Sequence, residues 1–397
     1  MFYHFASETI RCSRQSSQKS ERKGRNLGEK ILVTGGAGFI GRAVCNELLR
    51  RGNDVRVLDS LIEQVHGDRE RPEDFPDHAE LIVGDIRNKD VVARSLKGVD
   101  SVIHLAAEVG VGQSMYAVER YTSVNETGSA VLFEALIDHP VRRVVTASSM
   151  SIYGEGLYRD ADGNLVENAE RKPRTSHTES WDPLDAQGRP LTPVATPESK
   201  QPSLASIYAL GKYVQERQTL IITEAYGMEG VCLRLFNVYG PGQALSNPYT
   251  GVLAIFSSRL ANGQRPMIFE DGEQRRDFVY VGDVARAFCE ALVHPNAPGE
   301  VFNIGSGHER SVKQVAQSIA RAMNRDEVEP EIVGKSRIGD IRHCFCDGSK
   351  AADKLGFTAK KDFDEGLAEL AEWVAEQEAQ DRVDEARAEL EAKGLVA

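Results

Sequence analysis

Beyond residue 28 the chain alternates two apolar patterns. Short continuous apolar runs begin with KILVT at 30–34 and recur at 54–58, 80–83, 101–105, 141–146 and 230–235. Runs of this length without a polar face predict strands buried on both sides, as in a parallel sheet. Between them lie stretches of helical spacing, such as 41–50 and 125–137. Parallel strands need crossovers, and helical crossovers cover both faces of the sheet. The pattern therefore predicts an α/β fold with a doubly wound parallel sheet.

The rhythm becomes less regular after about residue 241, which predicts a first domain over 29–240 and a smaller lobe, mainly 241–375, packed against the carboxyl ends of the strands. Residues 155–204 form a polar insertion with an Asp-Gly pair and several prolines, too long for an ordinary connection. Residues 1–28, rich in Ser, Arg, Lys and Gln without periodicity, read as a disordered tail. The stretch 362–394 reads as helix, with Leu367, Leu370, Ala371 and Val374 at helical spacing; its end, 376–397, is expected as an acidic C-terminal helix.

Composition narrows the partners. A net charge of -12 argues against nucleic acid or an anionic membrane surface as the main partner. The six cysteines contain no Cys-x-x-Cys pair, so neither a metal site nor a disulfide framework is expected, and a reducing compartment is the simpler reading. No apolar run approaches the roughly 18 residues of a membrane span, and residues 1–28 lack a secretory signal's apolar core. A cytoplasmic location is expected.

Candidate chemistry begins where the first strand ends. Gly35, Gly36, Gly38 and Gly41 make a turn that opens a helix, with Phe39 and Ile40 at the helix start. Such a turn lets backbone amides approach a pyrophosphate, which the helix amino end favours electrostatically. Asp59 ends the second strand about 20 residues on, where a carboxylate accepts hydrogen bonds from both adenosine ribose hydroxyls. It would repel a 2'-phosphate, so NAD is favoured over NADP. Asp85 and Ile86, then Leu105, Ala106 and Ala107, end the next two strands and would line the dinucleotide path. These features make the sheet Rossmann-type.

Tyr208 and Lys212 stand four residues apart, on one face if the segment is helical. A nearby cation favours phenolate and would let the tyrosine act as a base. With eleven tyrosines in the chain, that spacing alone is weak, and its weight comes from position. The run ASSMSIYG at 147–154 ends an apolar stretch, and the residues alone leave open whether its hydroxyls are merely a strand end.

In this order the glycine turn, Asp59, Ser149, Tyr208 and Lys212 resemble the extended short-chain dehydrogenase/reductase family, of the NAD-dependent epimerase/dehydratase type. The resemblance runs from about 30 to 373 and is specific in GGAGFIG, GDIRN, HLAA, SSMSIYG, YALGK, RLFNVYGPG, RRDFVYVGDVA and FNIGSG. It implies that Ser149 and Tyr208 hold the sugar hydroxyl being oxidised. Lys212 would bind the nicotinamide ribose and lower the Tyr208 pKa, and Asn125 would position that network or the cofactor. It further implies that Phe236 faces the nicotinamide and that Asn237, Arg276, Arg337 and Asp340 take the nucleotide's diphosphate and ribose, with Val252 and Ile268 also in the substrate site. A homodimer joined through helices at 125–137 and 206–226 is expected on the same ground.

Dehydratases of the family carry Asp and Glu just after the catalytic Ser or Thr, and this chain has Met150 and Ser151 there. Neither replaces a carboxyl in acid–base work. The resemblance thus implies a nucleotide-sugar 4-epimerase acting on an NDP-hexose of the dTDP-L-rhamnose or UDP-glucose type. A nucleotide-sugar reductase or dehydrogenase, and a non-catalytic NAD-binding regulator, are the alternatives. Relatives with the insertion often carry cysteines there that resemble a metal clip, and here it has none. Cys344 stands where galactose-type epimerases often carry a bulky Tyr.

Overall fold

Seven parallel strands form the central sheet: β1 (Lys30–Thr34), β2 (Asp54–Asp59), β3 (Glu80–Val83), β4 (Ser101–His104), β5 (Arg143–Ser149), β6 (Glu229–Leu235) and β7 (Val301–Ile304). Their order is β7-β6-β5-β4-β1-β2-β3. The chain moves outward from β1 to β3 and then returns to β4 on the other side of β1. Strand order therefore reverses between β1 and β4, and the crevice at those carboxyl ends is where such sheets take ligands. The computed structural model describes residues 28–67, 70–171, 180–245, 247, 251–337, 339–377 and 383–396, so the expected tail lies outside the described residues but for Gly28.

Alternation along β1 assigns the two faces. Ile31 and Val33 join Val44, Cys45 and Leu48 of helix Phe39–Arg50 and Val284 and Phe288 of helix Val281–Val293. Leu32 joins Val91 and Val92 of helix Lys89–Ser95 and Leu132 and Leu136 of helix Gly128–Asp138. Both faces are thus buried, as the continuous apolar runs require.

Helix Val281–Val293 and β7 come from beyond residue 241 yet complete this sheet. In β7 Asn303 interrupts the apolar run, so the segment does not read as a buried strand. The second body has its own core, in which Leu253 and Phe256 of helix Val252–Ala261 meet Val315 and Ile319 of helix Val312–Ala322 and Leu367 and Leu370 of helix Phe363–Ala375. The long helix read over 362–394 is two: Phe363–Ala375 and Val383–Ala392.

Within the insertion, Leu157–Arg159 pairs antiparallel with Leu165–Val166 on one side and Thr192–Val194 on the other. Arg342, 1% exposed, ties it to the second body: its guanidinium donates to Asp182 at 2.7 Å, Asp271 at 2.6 Å and Glu270 at 3.0 Å. Among the described residues, no group of three His, Cys, Asp or Glu side chains could hold a metal ion, and no helix is long and apolar enough to cross a membrane.

Candidate active site

One cleft of about 2100 Å³ opens at the strand-order reversal and runs between the two bodies. Gly35, Gly38, Phe39, Ile40, Gly41, Asp59, Asp85, Ile86, Leu105, Ala106, Ala107, Ser149, Tyr208, Lys212, Phe236, Asn237, Val252, Ile268, Arg276, Arg337 and Asp340 all line it. Of the residues expected from sequence only Asn125 stands apart, fully buried behind the wall. Its side chain accepts from the Glu108 amide at 2.7 Å and donates to the Glu108 carbonyl at 3.1 Å. Asn125 therefore shapes the β4 exit from behind.

The glycine turn has the form of a dinucleotide cradle. Gly35 has φ +71, and a Cβ there would lie 2.8 Å from the Ala106 nitrogen; at Gly41 it would lie 2.4 Å from the Gly35 carbonyl oxygen. Any side chain would force the turn apart. Helix Phe39–Arg50 begins at Gly38 with no side-chain cap, which leaves its first amides and their partial positive charge for an anion. Asp59 accepts from the Ala37 amide at 3.0 Å and the Leu61 amide at 2.9 Å, so its carboxylate is fixed to the glycine turn. His66 Nε2 lies 3.7 Å from Asp59, and burial holds its pKa below the usual histidine value. Sequence reasoning missed His66, because nothing in a four-residue helix signals contact with β2.

Ser149 is the last residue of β5. Its hydroxyl accepts from the Ser151 amide at 3.1 Å and donates to the Ser151 hydroxyl at 3.0 Å. Tyr208 and Lys212 sit at the start of helix Ile207–Ala225, which Ser206 caps by accepting the Ala209 amide at 3.1 Å. Burial pushes the Tyr208 pKa up, and its hydrogen bond with Ser149 pulls the other way. Burial takes Lys212 down to about 7, opposed by Cys232 and Glu216. The resemblance implied a Tyr208 pKa lowered by Lys212; in the protein alone desolvation governs instead.

What holds this helix in place is a buried pair. Arg234 of β6 donates to both Glu216 oxygens at 2.7 and 3.0 Å, Ser148 donates to Glu216 at 2.7 Å, and Arg234 also donates to the Tyr153 hydroxyl at 2.8 Å. Every charge in the set is satisfied, which offsets the desolvation of burying it.

At the other end, Arg276 donates to the Arg342 carbonyl at 2.9 Å and to the Ile341 carbonyl, while Arg337 pairs with Asp340 at 2.9 Å. Among the described residues, nothing donates to the buried side-chain oxygens of Asn237, Gln243 and Gln274, residues that line the cleft. Gln243 lies just beyond the motif RLFNVYGPG, and Gln274 stands beside Arg276 without having been singled out.

Known proteins share this geometry. The pattern described as the NAD dependent epimerase/dehydratase family matches residues 31–181 and 185–305. A dTDP-L-rhamnose 4-epimerase of Burkholderia thailandensis is 36% identical over 355 residues, covering 88% of this chain and 96% of its own. UDP-glucose 4-epimerase of Thermotoga maritima, solved with UDP-glucose, superposes with a TM-score of 0.71 at 32% identity over 87% of this chain and 98% of its own. The Thermus thermophilus UDP-glucose 4-epimerase solved with NAD gives 0.69 at 29%, over 88% and 100%. A cradle built for NAD, set at the strand-order reversal and matched by that pattern on both sides of the cleft, places the chain in the NAD-dependent epimerase/dehydratase family of nucleotide-sugar enzymes.

Proposed function

We propose that this chain is a nucleotide-sugar 4-epimerase, inverting carbon 4 of an NDP-hexose of the dTDP-L-rhamnose or UDP-glucose type through a transient 4-keto sugar. The observation that carries the reading is the pair of side chains immediately after Ser149. Met150 and Ser151 occupy these two positions in the cleft wall, and the Ser151 hydroxyl is engaged with Ser149. A 4,6-dehydration needs an acid and a base there, and a thioether and an alcohol are neither. Glu108, a buried carboxylate farther along the wall, is held by Arg120 at 2.7 Å. The similarity to a dTDP-L-rhamnose 4-epimerase supports the same reading.

Bound NAD supplies the acceptor that takes hydride from carbon 4 and gives it back. The protein's part is positional and protonic. Ser149 orients the 4-hydroxyl, and Tyr208 takes its proton and later returns it. Lys212 holds the ribose beside Tyr208. Phe236, 3% exposed at the end of β6, excludes water. Asn237 contacts the diphosphate, and Arg276 with Arg337 and Asp340 grips diphosphate and nucleoside while the hexose turns.

We also propose a homodimer through helix Ile207–Ala225, whose Leu210 and Ile221 are 38% and 53% exposed, apolar surface suited to a partner. A cytoplasmic location belongs to the same reading, since Cys45, Cys232, Cys289, Cys344 and Cys346 are buried free thiols.

The test is incubation with a panel of UDP- and dTDP-hexoses, including dTDP-L-rhamnose, with the carbon-4 configuration read by NMR. Inversion without net NADH is expected. Stoichiometric change in NADH absorbance would favour a reductase or dehydrogenase, and no conversion of any sugar would sink the proposal.

A further inference from the structure

The last described segment, helix Val383–Ala392 with the residues to 396, lies across the cleft. Ala386, Arg387, Leu390 and Leu395 are among its lining residues. Although the helix is acidic, Ala386 and Leu390 are buried, at 7% and 6% exposed.

Its contacts reach both bodies. On the dinucleotide side, Leu390 packs on Gly112 of the short helix Val111–Ser114 that follows β4: a Cβ there would meet the Leu390 methyls at 3.4 and 3.6 Å. The Lys393 ammonium lies 5.6 Å from the centre of the Tyr116 ring. On the other side, Glu391 pairs with Lys335 at 3.1 Å, Asp384 with Arg259 at 3.4 Å, and Arg387 donates toward the Met267 sulfur at 3.5 Å. Val396 forms a backbone bridge with Arg337.

Met267 and Arg337 locate the covered region, since they neighbour Ile268 and Asp340 in the part of the cleft assigned to the nucleotide. We infer that the C-terminal helix belongs to the substrate site: Ala386 and Leu390 close the nucleoside end and hold the nucleotide while the hexose end stays free to turn. The inference rests on the nucleotide-sugar reading. Among the ties, the Glu391–Lys335 ion pair is exposed on both sides, and such pairs contribute little individually and part readily, as a cover that admits and releases substrate requires. The apolar contacts of Leu390 give the closed position its preference.

The test is calorimetric titration of the full-length protein with dTDP and with UDP, comparing Leu390→Asp and Leu390→Met. Leu390→Asp should raise the Kd at least about tenfold, the loss expected when an apolar contact becomes a charge. It should raise KM in parallel, with kcat within about threefold and bound NAD unchanged. Leu390→Met should keep wild-type affinity. Hydrogen exchange on the wild-type protein provides a readout independent of any variant: amides of 384–396 should slow when the diphosphate binds. An unchanged Kd in Leu390→Asp, or no change in exchange, overturns the inference and leaves the nucleotide-sugar reading standing. Failure of the wild-type protein to bind either diphosphate overturns both.

Discussion

Lys212 donates to Gln215 Oε1 at 2.6 Å, one turn along the same helix. Gln215 is itself fixed, donating to the Ser129 hydroxyl at 2.8 Å and the Ala106 carbonyl at 3.2 Å. The amide oxygen is an acceptor for a cation that burial has driven down to about 7. Gln215→Leu removes that acceptor and should lower the Lys212 pKa further. Less cation beside Tyr208 makes the phenolate harder to form. We expect kcat to fall about tenfold to a hundredfold, KM to stay within about threefold, and the pH midpoint of kcat to move upward. A rate loss with an unmoved pH midpoint would reduce Gln215 to a packing residue.

Tyr208→Phe removes the proton acceptor while keeping the ring that packs in the wall. The expected loss in kcat is on the order of 10²–10⁴, with NAD still bound. Retained turnover would show that another group moves the proton.

How much of this was legible in the sequence depends on the kind of signal each feature leaves. The strands of the sheet up to β6 show as apolar runs, and the cradle shows as glycines whose Cβ space is taken. Ser149, Tyr208 and Lys212 were read through the family resemblance, and the fold sets them at the end of β5 and the start of one helix. Contacts made across the fold leave no local pattern. Gln215 reaches Ser129 over 86 residues, Asp182 reaches Arg342 over 160, and Leu390 meets Gly112 from the far end of the chain. The insertion is a case in point: its polar sequence announces no partner, and Arg342 supplies the tie.

Asp59 should set cofactor choice. Its carboxylate is held by the Ala37 and Leu61 amides, which keeps it at the ribose end of the cradle. Asp59→Ser should weaken NAD binding at least about tenfold, as expected for losing charge-assisted hydrogen bonds to ribose, and narrow the preference over NADP. Fluorescence titration with both reduced cofactors measures the ratio; an unaltered ratio would assign ribose recognition elsewhere.

Breaking the Arg234–Glu216 pair should be costly. Arg234→Met leaves Glu216, 1% exposed, with only the Ser148 hydroxyl among its present partners. Removing one partner of a buried ion pair costs about 3–5 kcal/mol, and denaturant melts should show it. The double variant Arg234→Met/Glu216→Leu should recover much of that loss, because no uncompensated charge remains.

Acid should weaken the tie between the insertion and Arg342. Hydrogen bonds from His343 and then Arg342 hold the Asp182 pKa well below the usual carboxylate range, against the opposing effect of burial. A folded pKa below the unfolded value of about 3.9 gives stability that is present above that value and lost as pH falls through the folded pKa. The wild-type protein should therefore lose stability steeply below about pH 4. Asp182→Asn should be less stable at neutral pH and show a shallower acid slope, since the group that must take up the proton is gone. Stability against pH from denaturant melts at pH 2 to 7 measures both slopes. Parallel curves for the two proteins would mean that other carboxylates carry the acid response.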